Sequence, residues 1–239
     1  MRVNTKVLVE FLQRASINGI IEDMLLDFKA EGLKVTAREP GNVLAVNAFL
    51  HRDGVFVEYQ EGEVPIQSSN RLINLLKTVD GIADISFEKN MFRVTGDSID
   101  FDIIMGRKEY LTCKPLEKWP NLNYSGKFLV DASIFDLANR AYGELKANNS
   151  VREVVLSLES GMFKVQVGNG LSDTVTPKAV VDADWKATGS FSTCLLDATK
   201  GMKGDLKISF DNDLPLMIEQ KTDAYNISML FAALSEDDE

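Results

Sequence analysis

The stretch GDLKISFDNDLPLMIEQ, residues 204–220, alternates apolar and polar residues, turns at Asp211-Asn212-Asp213, and alternates again. Alternation on both sides of a turn predicts an antiparallel hairpin. Residues 83–95, ADISFEKNMFRVT, have the same pattern, and each stretch follows a short amphipathic helix. The repetition predicts a chain built from copies of one helix–hairpin unit.

Two further copies complete the pattern. A hairpin turning at Ala30-Glu31-Gly32 follows a helix predicted over 5–17, and one turning at Glu159-Ser160-Gly161 follows a helix predicted over 131–145. The other two helices are predicted to begin at Ser68-Ser69, a favourable N-cap pair, and to run over 192–200. Inward faces are predicted for the first three helices. They are Val7, Leu8, Phe11, Leu12 and Ala15 in the first, Leu72, Leu75, Leu76 and Val79 in the second, and Ile134, Leu137, Ala138, Ala141 and Leu145 in the third.

Additional strands are predicted over 43–50, 99–105 and 225–234. The chain therefore divides into two similar halves, 1–111 and 126–239, joined by a connecting segment over 112–125 that holds two prolines and no sustained alternation. Helices on one face of antiparallel sheets give an α+β fold class.

Composition excludes several classes of protein. The 239 residues are 45% hydrophobic and 26% charged, as in an ordinary globular protein, and no apolar run reaches the length of a membrane span. The N-terminus does not have the pattern of a signal peptide. Cys113 and Cys194 are far apart and form no CxxC pair, so we expect reduced thiols in a cytosolic compartment rather than a disulfide or metal site.

The net charge of −10 does not exclude nucleic acid as a partner, because a basic face can lie on an acidic body. The tail Ser235-Glu236-Asp237-Asp238-Glu239 alone contributes four acids and is expected to be a solvated end.

A catalytic role has little support in the sequence. His51 is the only histidine, no Walker loop, GxGxxG or HExxH motif occurs, and Gly168-Asn169-Gly170 opens no predicted helix. A hydrolase using a surface acid pair such as Asp211 and Asp213 remains the third alternative, although these acids flank a predicted turn. We predict no catalytic residue, no cofactor and no metal.

Several short motifs lie in a characteristic order on this repeat. They are Asp213-Leu214-Pro215-Leu216, Leu230-Phe231-Ala232-Ala233, Leu75-Leu76-Lys77, Thr199-Lys200, Trp119-Pro120 and Tyr124-Ser125. With them, the whole chain resembles the sliding-clamp family of proliferating cell nuclear antigen (PCNA), although Ala233 stands where the family usually has proline and the connecting segment is a few residues shorter than in animal members.

The resemblance implies a ring of three subunits joined head to tail, each contributing two similar domains. An edge strand of the second domain, expected over 174–181, would pair with one at the end of the first, expected over 106–113. The implied subunit-interface residues are Lys108, Tyr110, Thr112, Val175, Pro177 and Ala179.

In such a ring the helices line the hole, and their faces opposite the sheet would contact double-stranded DNA loosely and without reading its sequence. The implied DNA-facing residues are Lys6, Arg14, Arg71, Lys77, Arg140, Lys146, Lys200 and Lys203.

The resemblance also implies an outer pocket for an extended partner motif that carries a glutamine and aromatic anchors. Its implied residues are Arg38, Asn42, Val43, Trp119, Pro215, Leu230, Phe231 and Ala232. The expected partners are DNA polymerase, a clamp loader, a nuclease and a ligase, besides the chain's own copies. A specialised subunit of a checkpoint ring or heterotrimer is the alternative. The expected location is the nucleus in a eukaryote, and the cytoplasm or nucleoid if the protein is archaeal or viral.

Overall fold

The computed structural model describes residues 1–146, 151, 153–168, 173–212 and 214–234. The chain forms two compact units, Met1–Trp119 with Lys221–Ile227 and Pro120–Gln220 with Ser228–Glu239. Asp213 of the predicted turn, the 169–170 part of the glycine-rich loop and the acidic tail 235–239 lie outside the described residues. The predicted domain limits at residues 111 and 126 stay a prediction.

The first unit contains two antiparallel sheets. One has the order β5 (Phe56–Val57), β1 (Arg2–Asn4), β7 (Ile82–Glu88), β8 (Met91–Thr95) and β9 (Asp100–Ile104). The other has the order β4 (Leu44–His51), β3 (Gly32–Arg38), β2 (Met24–Lys29) and β6 (Gly62–Ile66). The last strand of the chain, β17 (Tyr225–Phe231), lies beside β4, and its residues up to Ile227 belong to this unit.

Two helices cover the sheets of the first unit, and side chains fix where each begins. The Asn4 side chain accepts hydrogen bonds from two main-chain N–H groups at the start of α1 (Thr5–Ala15). The Ser68 hydroxyl accepts one, from the Arg71 N–H, at the start of α2 (Ser69–Leu76), as predicted. Leu8, Phe11 and Leu72 are buried on the inner faces. The hairpins β2–β3 and β7–β8 follow the helices, so the predicted helix–hairpin order is confirmed.

The second unit repeats this arrangement. One sheet has the order β10 (Lys127–Asp131), β15 (Asp205–Ser209), β16 (Leu216–Lys221) and the end of β17, and the other has β13 (Lys178–Val180), β12 (Met162–Val167), β11 (Glu153–Glu159) and β14 (Ala187–Ser192). Its helices are α3 (Ser133–Lys146) and α4 (Cys194–Thr199). The opening stretch forms the β15–β16 hairpin, and the α+β fold class is confirmed.

The predicted inner face of α3 is partly wrong. Leu137 was expected inside but is 51% exposed, whereas Phe135 is fully buried and contacts the ring of Phe163. The helix is therefore rotated so that Phe135, with its larger apolar surface, takes the inner position.

One predicted edge strand is absent. Residues 106–113 were expected to be extended, but Lys108–Tyr110 forms a 3₁₀ helix. The Met105 N–H makes a ladder bond to Asn90, and the next N–H, that of Gly106, turns away to donate to the Pro65 carbonyl at 2.9 Å. In the other predicted edge, 174–181, the strand is confined to Lys178–Val180, with one isolated bridge between Val167 and Val175.

Cys113 and Cys194 are not joined in a disulfide. Cys113 is buried, and burial raises the pKa of its thiol above the ordinary value. None of the helices in the described part of the chain combines the length and hydrophobicity needed to cross a membrane.

Candidate functional site

Two of the four predicted basic residues of the first unit, Lys6 and Lys77, lie at a groove between the start of α1 and the end of α2. The Thr5 hydroxyl donates to the Val79 and Gly81 carbonyls, at 2.9 Å each, and so ties the start of α1 to the end of α2. This tie places Lys6 and Lys77 along one groove of about 410 Å³, in which Asp80 also lies. Two exposed ammonium groups and one carboxylate give a weakly basic groove, suited to loose contact with phosphates.

Arg14 has a different environment from the other predicted bases of this unit. It is half-buried near Tyr225, whose hydroxyl donates to Glu10 at 3.0 Å. Burial, reinforced by the Glu10 charge, raises the pKa of Tyr225, and the Arg14 charge acts in the opposite sense. Arg14 is therefore engaged within the first unit, whereas Arg71 on α2 is exposed.

The second unit also presents exposed bases on and after its helices. Asn139 joins the helices by donating to the Leu196 carbonyl at 3.0 Å. The predicted DNA-facing residues of this unit, all exposed, are Arg140 and Lys146 on α3 and Lys200 and Lys203 after α4. The Lys146 ammonium lies 5.3 Å from the centre of the Tyr142 ring, so a cation–π contact steadies it.

The hydrogen bonds between β13 and β12 show which main-chain groups of β13 lie on its free edge. Val175 exchanges main-chain bonds with Val167, and the Pro177 carbonyl accepts from Val165 at 3.1 Å, so these groups face β12. By the alternation of an antiparallel ladder, the N–H and C=O groups of Thr176, Lys178 and Val180 point outward. Pro177 therefore removes no donor from the outer edge, and Val180 is 83% exposed there.

The edge of β9 follows the same rule. Met105 bonds to Asn90 across the ladder, so the main-chain groups of Asp100, Asp102 and Ile104 point away from β8. Ile104 is 72% exposed.

The main-chain or side-chain groups of the six predicted interface residues lie within their own unit as follows. Lys108 pairs with Glu63 at 2.6 Å, and Tyr110 is exposed beside Arg107 in the 3₁₀ helix. Thr112 bonds to a buried carboxylate within its own unit. The main-chain groups of Val175 and Pro177 face β12 rather than the open edge, and the pairing of Ala179 with Phe163 continues this alternation.

The outward residues of β9 and β13 were not among the predicted interface residues, and the first-domain edge was expected over 106–113, after β9. In the sequence, the end of the alternation in residues 99–105 is the signal for the end of this strand.

The predicted partner-motif residues divide equally between the units. In the first, Arg38 and Asn42 are exposed, Val43 lies at a turn where Asn42 has a positive φ of 60°, and Trp119 is half-buried. In the second, Pro215 and Ala232 are half-buried, while Leu230 and Phe231 are buried. The Pro215 carbonyl accepts from the Tyr124 hydroxyl at 2.6 Å.

The residues considered for catalysis are engaged in local structure. His51 Nε2 lies 3.2 Å from the Asn226 amide, and Asp211 accepts a bond from the Ser125 N–H. Among the described residues, no group of three or more His, Cys, Asp and Glu side chains is placed to hold a metal ion.

Comparison with solved structures decides the fold. The chain matches the A. fulgidus PCNA that binds the C-terminal region of FEN-1, with a TM-score of 0.81 and 18% identity over 99% of this chain and 98% of that one. This chain has the sliding-clamp fold. The PCNA of Entamoeba histolytica matches at a TM-score of 0.79 and 14% identity, over 98% of both chains.

A third clamp structure, a PCNA2–PCNA3 complex from Sulfolobus tokodaii, matches at a TM-score of 0.71 and 15% identity, over 98% of this chain and 99% of that one. No protein-family model and no curated protein matches the chain. The clamp fold is therefore shown by likeness of structure, at 14–18% sequence identity.

Proposed function

We propose that this protein is a DNA sliding clamp, a ring that encircles duplex DNA and tethers replication and repair enzymes to it. The observation that carries the proposal is the likeness of nearly the whole chain to PCNA structures. Such a clamp acts by topological linkage and needs no catalytic residue of its own. Its place is with the DNA, in the nucleus or the nucleoid.

The exposed bases support the DNA contact. Lys6 and Lys77 in one unit and Arg140 and Lys200 in the other lie on or next to helices, although the whole chain carries −10. A few scattered cations bind phosphates weakly and in a salt-dependent way. Weak contact suits a ring that must slide, because tight binding at one position would stop it.

The free edges support assembly of copies into a ring. The first-unit sheet β4-β3-β2-β6 corresponds to the second-unit sheet β13-β12-β11-β14, so β13 corresponds to β4. Strand β4 has β17 as its outer neighbour, whereas β13 has no outer neighbour in the described part of the chain. The outer side of β9 is likewise open among those residues. Pairing of β9 with β13 of the next copy would cover both edges and bury Ile104 and Val180. Three such heterologous contacts would close the homotrimer that the family resemblance implies.

Partner enzymes would bind through peptide segments. The A. fulgidus PCNA matched here binds the C-terminal region of FEN-1, a precedent for such a partner. For this chain we assign the role to the eight residues from Arg38 to Ala232 that are named above, with polymerase, clamp loader, nuclease and ligase as the expected partners.

A heterotrimer member is the second candidate, and the match to the PCNA2–PCNA3 complex favours keeping it. Light scattering after gel filtration separates the two. A species near three times the chain mass of 26.5 kDa supports a homotrimer, and a monomer at every concentration points to missing sister subunits.

The decisive experiment tests topological linkage. The protein is loaded with a clamp loader onto a nicked circular plasmid, free protein is removed, and half the sample is linearised with a restriction enzyme. A clamp stays on the circle and slides off the line, whereas a protein held by affinity stays on both. Equal retention on both templates would overturn the proposal.

A further inference from the structure

A buried carboxylate holds the start of the connecting segment. Asp23 is only 7% exposed, and its Oδ2 accepts from the Thr112 N–H at 2.8 Å and the Thr112 hydroxyl at 2.9 Å. Its Oδ1 accepts from the Cys113 N–H at 2.8 Å. A carboxylate removed from water is unfavourable unless hydrogen-bonded, so both oxygens of Asp23 depend on this segment.

A second carboxylate holds the end of the segment within the other unit. Asp211 Oδ2 accepts from the Ser125 N–H at 2.7 Å, next to the bond from the Tyr124 hydroxyl to Pro215. Burial acts to raise the pKa of Asp211, but hydrogen bonds from Ser125 and the neighbouring main chain outweigh it and hold that pKa below its usual value. Both ends of the segment are thus fixed by an acid that is distant in sequence.

The span between the two attachments is different. Main-chain bonding at its start ends with Lys114, whose carbonyl accepts from the Arg38 N–H at 3.0 Å. In the structure as described, residues 115–123 make no hydrogen bond to another part of the chain. This span contains Trp119, half-buried between the two fixed ends.

We propose that Asp23 and Asp211 are positioning residues for partner binding: they hold the two ends of the connecting segment so that residues 115–123 are presented to a partner peptide. The inference rests on the proposed clamp function. A segment with fixed ends loses less conformational entropy when a peptide orders it, so pre-organisation raises affinity without a direct contact.

The test uses a fluorescein-labelled peptide of the FEN-1 C-terminal region, the full-length protein and three variants. In Asp23→Asn and Asp211→Asn each carboxylate becomes an amide, and Asp53→Asn makes the same charge change at an exposed turn. We expect the peptide Kd to rise about tenfold in the first two, as loss of a charge-assisted hydrogen bond allows, and to be unchanged in Asp53→Asn. Amide exchange should accelerate at Thr112 and Cys113 in Asp23→Asn.

Retention on circular DNA and the unfolding temperature are measured beside the peptide Kd. A purely structural role would lower the unfolding temperature and leave the Kd unchanged, and that result overturns the inference while the clamp function stands. If Asp23→Asn does not fold, Asp211→Asn decides alone. If the wild-type protein fails to bind this peptide, the positioning role falls with the peptide site, and the circle-versus-line assay still judges the clamp independently.

Discussion

Replacing Ile104 by aspartate is expected to open the ring at the proposed contact between β9 and β13. Ile104 is 72% exposed in the single chain, and covering that surface in the contact is worth about 1.5–2 kcal/mol. A carboxylate there would also lose water and approach Asp102, which raises the loss to about 3 kcal/mol per contact. That is about a hundredfold weaker association at each contact.

The assay is light scattering over a dilution series, with the midpoint of dissociation compared between proteins. Ile82→Asp is the matched control, because Ile82 is 63% exposed on β7, which has a neighbour on each side. Because Ile104 is exposed in the single chain, the variant should unfold at nearly the wild-type temperature when both proteins are measured as monomers, below the dissociation midpoint. An unchanged midpoint for Ile104→Asp, or an equal shift in the control, would refute the reasoning.

Three further predictions concern the groove, a turn and acid stability. Replacing Lys6 and Lys77 by alanine should lower the slope of log affinity for DNA against log salt by about 2 while leaving assembly intact, as measured by titration at several salt concentrations. Gly32→Ala should destabilise the fold by about 3 kcal/mol in urea unfolding, since φ is +151° there and a Cβ would overlap a main-chain oxygen of β4. Hydrogen bonds from Ser133 lower the pKa of Asp131. Its contribution to the free energy of unfolding is therefore fully present above the unfolded pKa of about 4 and is lost as pH falls through the folded pKa. Thermal unfolding between pH 2 and 6 should therefore depend less on pH in Asp131→Asn.

Much of the fold could be predicted from the sequence because its signals are local. Alternation in 204–220 and 83–95 fixes which side chains face inward, and the structure pairs both as hairpins. Capping is equally local, so Ser68 could be placed at the start of α2. These features depend on neighbours within a few residues.

The errors arise where distant residues decide. The bond from Gly106 to Pro65 ends the ladder at β9, and no pattern near residue 106 indicates it. In α3, Leu137 and Phe135 both suit an inner position, and contact with Phe163 favours Phe135.

Most of the candidate site was also beyond local patterns. Seven of the eight predicted DNA-facing bases are exposed, while Arg14 is half-buried beside Tyr225, far along the chain, and their contact with DNA stays a prediction. The hydrogen bonds of Asp23 could not be foreseen, because its partners are about 90 residues away.

The assignment of Lys221–Ile227 to the first unit has a consequence for synthesis. After Trp119 has left the ribosome, the outer side of β4 stays open until β17 is made, about a hundred residues later. At usual rates of translation this interval is roughly 5–20 s, during which β4 is an unpaired edge that can join another chain. Nascent chains crowded on one messenger are therefore exposed to exchange of their C-terminal strands, and a truncation before Lys221 should yield two incomplete units instead of one intact domain.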